Sequence, residues 1–539
     1  MTAGMITPYR STQQATRDGF AQVLRAEWIK FRTVRGWLIG LLVGAVVMVL
    51  LGVFAAGASS IACSPAGGGP VRHGRACVPP RPPIGPGGEA VLDSFYFVHR
   101  PLTGDGSITA ELTAFSGRYG TGAPSAPGQG PLMSQHGLQP WSKAGIIIKA
   151  GTSPGSQYAA MLLSGSHGAR MQYNYTHDTA GLPGGASAAS PRWLRLVRSG
   201  DTITGYDSAD GSHWSKVGTA HLAGLPATVQ VGMLATSPQH MVVSLSFGGS
   251  ETGNGGPSEA TGVFDHVSLS GTPSRGNWAG GSIGSYFSGT RGRFQQAGGT
   301  FTVTGSGDIA PVEAGDANSG VGPAATIEQH LVGAFAALIA LAVVAAMFIT
   351  AEYRRGLIRT TLTASPRRGR VLAAKAIVIG LVTFLVGLAA TLVAFVLGNQ
   401  QAHSHYQYIF PVPWTTEVRV IAGTAALLAV AAVLALAIGT ILRRSAVAVT
   451  AVIVAIVLPY ILAVASVLPA TAGDWLLRLT PAAGFAIQQS IRAYPQVNGL
   501  YAPADGYYPL APWAGFAVLC GYAAVAMAVA AYLLRRRDA

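Results

Sequence analysis

Six apolar stretches, at about 37–58, 329–350, 373–397, 419–442, 447–468 and 512–534, dominate this 539-residue chain. Each is near the roughly 20 residues that a helix needs to cross a hydrocarbon core of about 30 Å. One precedes a long polar segment, 59–328, and five follow it. With 49% hydrophobic and only 11% charged residues, yet 70 Gly and 32 Pro, the chain reads as membrane helices interrupted by one inserted domain. About 35 residues with six Lys/Arg lie ahead of the first stretch. Its apolar run exceeds the roughly 7 to 15 residues of a signal-peptide core, so it is expected to be an anchored span.

Charge sets the expected orientation. Six spans place residues 1–36, 351–375, Arg443-Arg444 and 535–539 on one side, and these hold eighteen Lys/Arg against four Asp/Glu. The remainder carries eighteen of each, so the whole formal charge of +14 falls on that side. By the positive-inside rule it is cytoplasmic, which puts both termini in the cytoplasm of a multi-pass cell-membrane protein and 59–328 outside. Basicity of this kind argues for anionic lipid headgroups and against nucleic acid as the implied partner.

Within the external segment, residues 64–90 hold seven Pro and seven Gly in 27 positions and read as a tether. Cys63 and Cys77 flank 13 residues there. An oxidising compartment would allow a disulfide between them, and two free thiols are the alternative. From Val91 the texture changes to about ten short alternating runs with Gly-rich turns, such as AGIIIKAG, YAAMLLSG and WLRLVRSG, the pattern of an all-β sandwich. The expected boundaries are 59–90 linker, 91–270 sandwich, and 271–328 a Gly-rich linker with one strand. The ordered motifs WSKAGIIIKAG, YAAMLL, WLRLVRSGDTITGYDSADGSHWSKVG, VGMLATS and FDHVSLSG resemble the concanavalin-A-like jelly roll found at the C terminus of bacterial β-xylosidases. The resemblance implies a fold that hosts lectins, glycosidases and spacers alike.

A glycosidase would need two facing carboxylates about 5 to 10 Å apart. Asp178, Asp201, Asp207 and Asp210 are available, but three of them sit at hairpin turns. Trp141, Trp214, Tyr173 and Tyr175 are candidate contacts for an external glycan, with core packing as the competing explanation. The pair His403 and His405 lacks a third metal ligand at suitable spacing.

The membrane half carries the functional signal. In FAQVLRAEWIKFRTVRGW, Phe20, Val23, Leu24, Trp28 and Phe31 recur at helical spacing beside Lys30, Arg32 and Arg35, as in an interfacial helix leading into the first span. After the second span comes AEYRRGLIRTTLTASPRRGRVLAAK, with seven basic residues in 25. A short cytoplasmic helix is expected at 351–372. Glu352, Arg354, Arg355, Gly356, Arg359, Leu362, Pro366, Arg368 and Lys375 resemble the coupling segment of ABC-2-type transporter permeases. The stretch around Trp28, Lys30 and Phe31 resembles the elbow helix of those permeases, and RLTPAAGFAIQQSIRAYP, 478–495, their last external loop.

This resemblance implies the membrane subunit of an ATP-driven exporter, working as a homodimer or heterodimer in the bilayer over a separate ATPase that binds the ATP. The chain has no G-x-x-x-x-G-K-[ST] phosphate loop, so it is read as a non-enzymatic transporter subunit with no cofactor of its own. No Asp, Glu, Lys or Arg stands near the middle of a span, which disfavours an ion-driven carrier. The alternative is a membrane-anchored carbohydrate-binding or cell-surface interaction protein. Five further spans are more than an anchor requires.

Overall fold

The computed structural model describes residues 19–58, 81–120, 135–245, 251–273, 276–284, 292–313, 324–354, 356–357, 367–404, 407–465, 467–497 and 501–536. Its helices are α1 (Phe20–Thr33), α2 (Arg35–Ala58), α3 (Gly333–Arg354), α4 (Arg368–Ser404), α5 (Trp414–Leu442), α6 (Ser445–Val464), α7 (Ala470–Leu479) and α8 (Pro512–Arg536). Six of these are long and apolar enough to cross a membrane, and α1 and α7 are not among them.

In the bundle, α3 and α5 are central, with 61% of their apolar windows buried, whereas only 22% is buried in α2 and α8. The outer helices instead present Leu42, Phe54 and Val525, each more than half exposed. Such faces suit lipid or a neighbouring subunit. Pro459 in α6 lacks an N–H, and its ring crowds the carbonyl four residues back. A π turn at Ile453–Val457 accommodates this immediately upstream.

The stretch 478–495, expected as an external loop, lies partly inside the bundle. Its Pro481–Gln488 portion is a 3-10 segment in which every residue is buried. Gly423 of α5 gives it room, since a Cβ there would lie 2.4 Å from Ile487. Eight residues are too few to register as a span.

The inserted domain is a β-sandwich organised around one long bent strand, Phe95–Tyr119. Tyr96–Thr103 of that strand pairs with Thr228–Thr236, while Gly106–Leu112 pairs with Arg192–Ser199. Ser258–Pro273 runs antiparallel along its other edge with three register shifts. Bulges of this kind let a long strand turn the corner between packed sheets. Ile146, Met161 and Met171 meet Leu194, Leu196 and Ile203 across the core.

The strands Lys143–Lys149 and Tyr158–Ser164 are buried along their whole length, because a second apolar layer containing Val91, Phe97, Tyr175 and Ile309 covers their other face. The segment expected to be a linker with one strand instead holds Ala279–Ile283, Arg293–Ala297, Thr300–Gly305 and Ile309–Pro311. Thr300–Gly305 pairs with Ser258–Pro273, and Ile309–Pro311 closes on Val91–Asp93. Their short runs and Gly-rich turns hide the alternation by which strands are recognised.

Nor is the domain merely tethered. Ala90, Val312, Phe410 and Tyr507 form an apolar cluster between the sandwich and the loops of the bundle. Gln496 Nε2 donates to the Tyr175 carbonyl at 3.1 Å. Ala324–Ala325 pairs in parallel with Tyr408–Ile409.

Candidate coupling site

At the end of the bundle farthest from the sandwich, α1 lies against the helices and contributes a carboxylate to their interior. Its sequence favours a helix, with no Gly or Pro between Phe20 and Thr33. Thr33 Oγ1 donates back to the Lys30 carbonyl, and Val34 turns extended before α2 begins. Phe31 is fully buried, stacked on Trp37 with centroids 5.7 Å apart and edge-on to Phe348 at 5.4 Å. One turn earlier on the same face stands Glu27, 1% exposed.

Glu27 belongs to a four-charge cluster. Lys375 of α4, fully buried, donates to Glu27 Oε2 at 2.6 Å and to Glu352 Oε1 at 2.7 Å. Lys30 reaches the same two carboxylates at 2.9 and 3.3 Å. The Lys375 ammonium also sits 4.5 Å from the Phe348 ring centre. Two cations and two anions cancel formally, which is the condition under which charges withstand burial. Burial works to lower the pKa of Lys30, but the hydrogen bond and charge of Glu27, with Glu352 behind them, outweigh it and raise the group.

The surrounding helix ends are tied as well. Gly356 takes φ +67°, a left-handed conformation suited to glycine, and its N–H bonds to the Tyr353 carbonyl at the end of α3. Arg443 caps α5 in a left-handed conformation and lies 5.2 Å over the Tyr353 ring. Arg368 Nη1 donates to the Leu534 carbonyl of α8 at 2.8 Å. The cluster therefore sits where five helices meet.

Of the residues expected here, Glu352, Lys30, Phe31 and Lys375 converge, whereas Trp28 is 44% exposed. Arg354 ends α3. Arg355, Arg359, Leu362 and Pro366 lie outside the described residues, as does most of the helix expected at 351–372. Among the described residues the cationic partners of Glu352 are Lys375 and Lys30. Glu27 carried a signal that composition obscured: an acid four residues before Phe31, within the apolar stripe.

The sandwich candidates are accounted for internally. Tyr175 is 1% exposed, and its hydroxyl donates to Asp93 Oδ2 at 2.7 Å, where Lys149 Nζ also binds at 2.7 Å. Trp141 is 5% exposed and stacks on His167 at 4.0 Å. Both are buried. Tyr173 stacks on His177, and Arg195 covers Trp214 at 3.8 Å.

The carboxylates are equally committed. Asp178 pairs with Arg170, Asp201 and Asp207 accept backbone N–H groups of Gly224 and Leu182, and Asp210 caps its own turn through Ser212 and His213. Cys63, Cys77 and His405 lie outside the described residues.

The family described as ABC-2 family transporter protein matches residues 241–539, more than half of the chain. None of the curated proteins matches. Among solved structures, the chain is similar to a functionally unknown protein from Saccharomyces cerevisiae, at 15% identity over 33% of this chain and 75% of that one, with a TM-score of 0.20. It is similar to the GH43 protein BlXynB from Bacillus licheniformis, at 19% identity over 24% of each chain and a TM-score of 0.15. It is also similar to scytalido-glutamic peptidase, at 9% identity over 41% of this chain and 100% of that one, with a TM-score of 0.23. At TM-scores this low, none of the three speaks to the fold or activity of this chain.

Proposed function

The chain belongs to the ABC-2 family of transporter proteins, and from that premise we propose that it is the permease subunit of an exporter driven by a separate ATPase. The carrying observation is the contact of Lys375 with both Glu27 and Glu352. It joins α1 to the two helices that flank the α3–α4 connection. A push on that connection by a soluble partner then moves three helices as one body, instead of being absorbed where they would slide. The excess of Lys and Arg at this end supports a cytoplasmic location, so the sandwich, at the other end, faces outside. There it serves as a concanavalin-A-like accessory domain, docked on the exit side of a permease dimer.

Purification of the tagged chain from crosslinked native membranes tests the reading. An ATPase bearing a phosphate loop should co-purify, and Glu352→Lys should diminish its recovery or uncouple its hydrolysis from export. Recovery of the chain without any ATPase would overturn the proposal.

A further inference from the structure

A cavity of ≈ 190 Å³ lies at the sandwich-proximal end of the helices, lined by Glu328, His330, Gln407, Gln488, Tyr460 and Tyr508 together with Ala55, Ala56, Val332 and Val464. Its polar wall is rich in acceptors. Glu328, 7% exposed, receives hydrogen bonds from the Ser490 hydroxyl and backbone N–H, and it has no cationic partner within ion-pair distance among the described residues. The Arg419 guanidinium donates to the carbonyls of Ile487 and Gln489 and does not line the cavity.

His330 is fully buried, with neither ring nitrogen hydrogen-bonded among the described residues. Gln407 donates its amide to the Ala56 carbonyl and leaves a buried Oε1 with no partner among the described residues. Gln488 likewise donates its amide to Thr424. Tyr460 and Tyr508 stand in the same wall.

A buried carboxylate with no counter-ion, and an amide oxygen with no donor, among the described residues are each costly. Here they share one enclosure that has no Lys or Arg in its wall. We propose that this cavity binds a small organic ammonium ion, its N–H groups directed to Glu328, Gln407 and His330 and its apolar part set against Ala55, Ala56, Val332 and Val464. The size fits, since an apolar cavity of about 150 Å³ holds a benzene ring. Ser490 supplies an approach. It holds the Glu328 carboxylate and also lines a wider groove of ≈ 800 Å³ between the sandwich and the bundle. A metal ion is a poorer fit, because no group of three His, Cys, Asp or Glu ligands assembles among the described residues.

The test needs no ATPase and stands whether or not the exporter reading holds. The full-length protein in nanodiscs is titrated calorimetrically with benzylammonium, with benzyl alcohol and benzoate as neutral and anionic controls for partitioning into lipid. Saturable binding of benzylammonium alone is expected, weakened about tenfold or more by Glu328→Gln, since charge-assisted hydrogen bonds carry at least that much. His330→Leu removes no hydrogen bond found among the described residues, so it provides a second variant that should fold and should also bind more weakly. Equal binding of benzyl alcohol, preference for benzoate, absence of saturable binding, or full affinity in both variants would each overturn the proposal.

Discussion

Lys375 Nζ lies 2.6 Å from Glu27 Oε2, across 348 positions of sequence. One residue opens a span and the other belongs to a helix that, by its amphipathic pattern, would rest on the membrane surface. Their contact, buried on both sides, makes α1 a structural member of the bundle. Because Glu352 shares the same ammonium, one cation joins α1, α3 and α4. Phe31, Trp37 and Phe348 pack directly beside this junction.

Replacing Lys375 by Met should leave two buried carboxylates with only the half-exposed Lys30 to compensate them. Breaking a buried pair on one side costs about 3–5 kcal/mol. Denaturant unfolding in mixed micelles should show a loss of that order. Adding Glu27→Gln should recover part of it, a non-additivity expected of residues in one network. A loss below about 1 kcal/mol, the size of an exposed pair, would mean that the cluster is solvated.

Much of the architecture was legible because its signals are local. Twenty consecutive apolar residues announce a span wherever they occur, and alternation in WLRLVRS announces a strand, Arg192–Ser199, with one face inward. Tertiary pairings left no such trace. Nothing adjacent to Glu27 indicates that its partner is Lys375, and Glu328 looks like an ordinary helix-opening acid until Ser490 is brought against it. Trp141 and Tyr175 were ambiguous because an aromatic ring serves equally in a core and on a binding face. The sequence does not show that their neighbours are His167, Asp93 and Lys149.

The sandwich should lose stability as pH rises above about 10, the ordinary tyrosine value. Burial, followed by the negative charge of Asp93, raises the pKa of both Tyr158 and Tyr175. A raised folded-state value stabilises below the unfolded value, and that contribution is lost as pH climbs toward the folded one. Lys149 acts in the opposite sense, since burial lowers its pKa and alkaline pH relieves the cost of its charge. Two tyrosines against one lysine leave a net loss. Alkaline unfolding followed by circular dichroism should show it, and Tyr175→Phe should make the decline shallower. An unchanged slope in that variant would remove Tyr175 as its source.

Sidedness is tested with cysteines at Ser212, exposed in the sandwich, and Leu357, 48% exposed beyond α3, in a background lacking the native thiols. An impermeant maleimide added to intact cells should label the Ser212→Cys protein, and the Leu357→Cys protein only after permeabilisation. The reverse pattern would invert the topology and remove the basis for a cytoplasmic ATPase at the α3–α4 connection.

The extent of the sandwich yields the last prediction. A fragment of residues 91–270 contains the longest strands but lacks Asp308, whose carboxylate is 2.5 Å from the buried Lys143 ammonium. It also lacks Phe301 and Val303 of the main core and Ile309 of the second layer. Lys143 would then be buried without its counter-ion, at a cost of about 3–5 kcal/mol. Losing the contacts of one large aromatic costs about as much again. Together these approach the whole stability of an ordinary domain, about 5–15 kcal/mol. Residues 81–313 keep the Val91–Asp93 pairing with Ile309–Pro311 and give up only docking contacts such as Gln496 to Tyr175. The longer fragment should therefore be soluble and β-rich and unfold cooperatively, while the shorter one should not. Comparable stability of the two, measured by urea unfolding, would show that the strands after 270 are appended to a core complete without them.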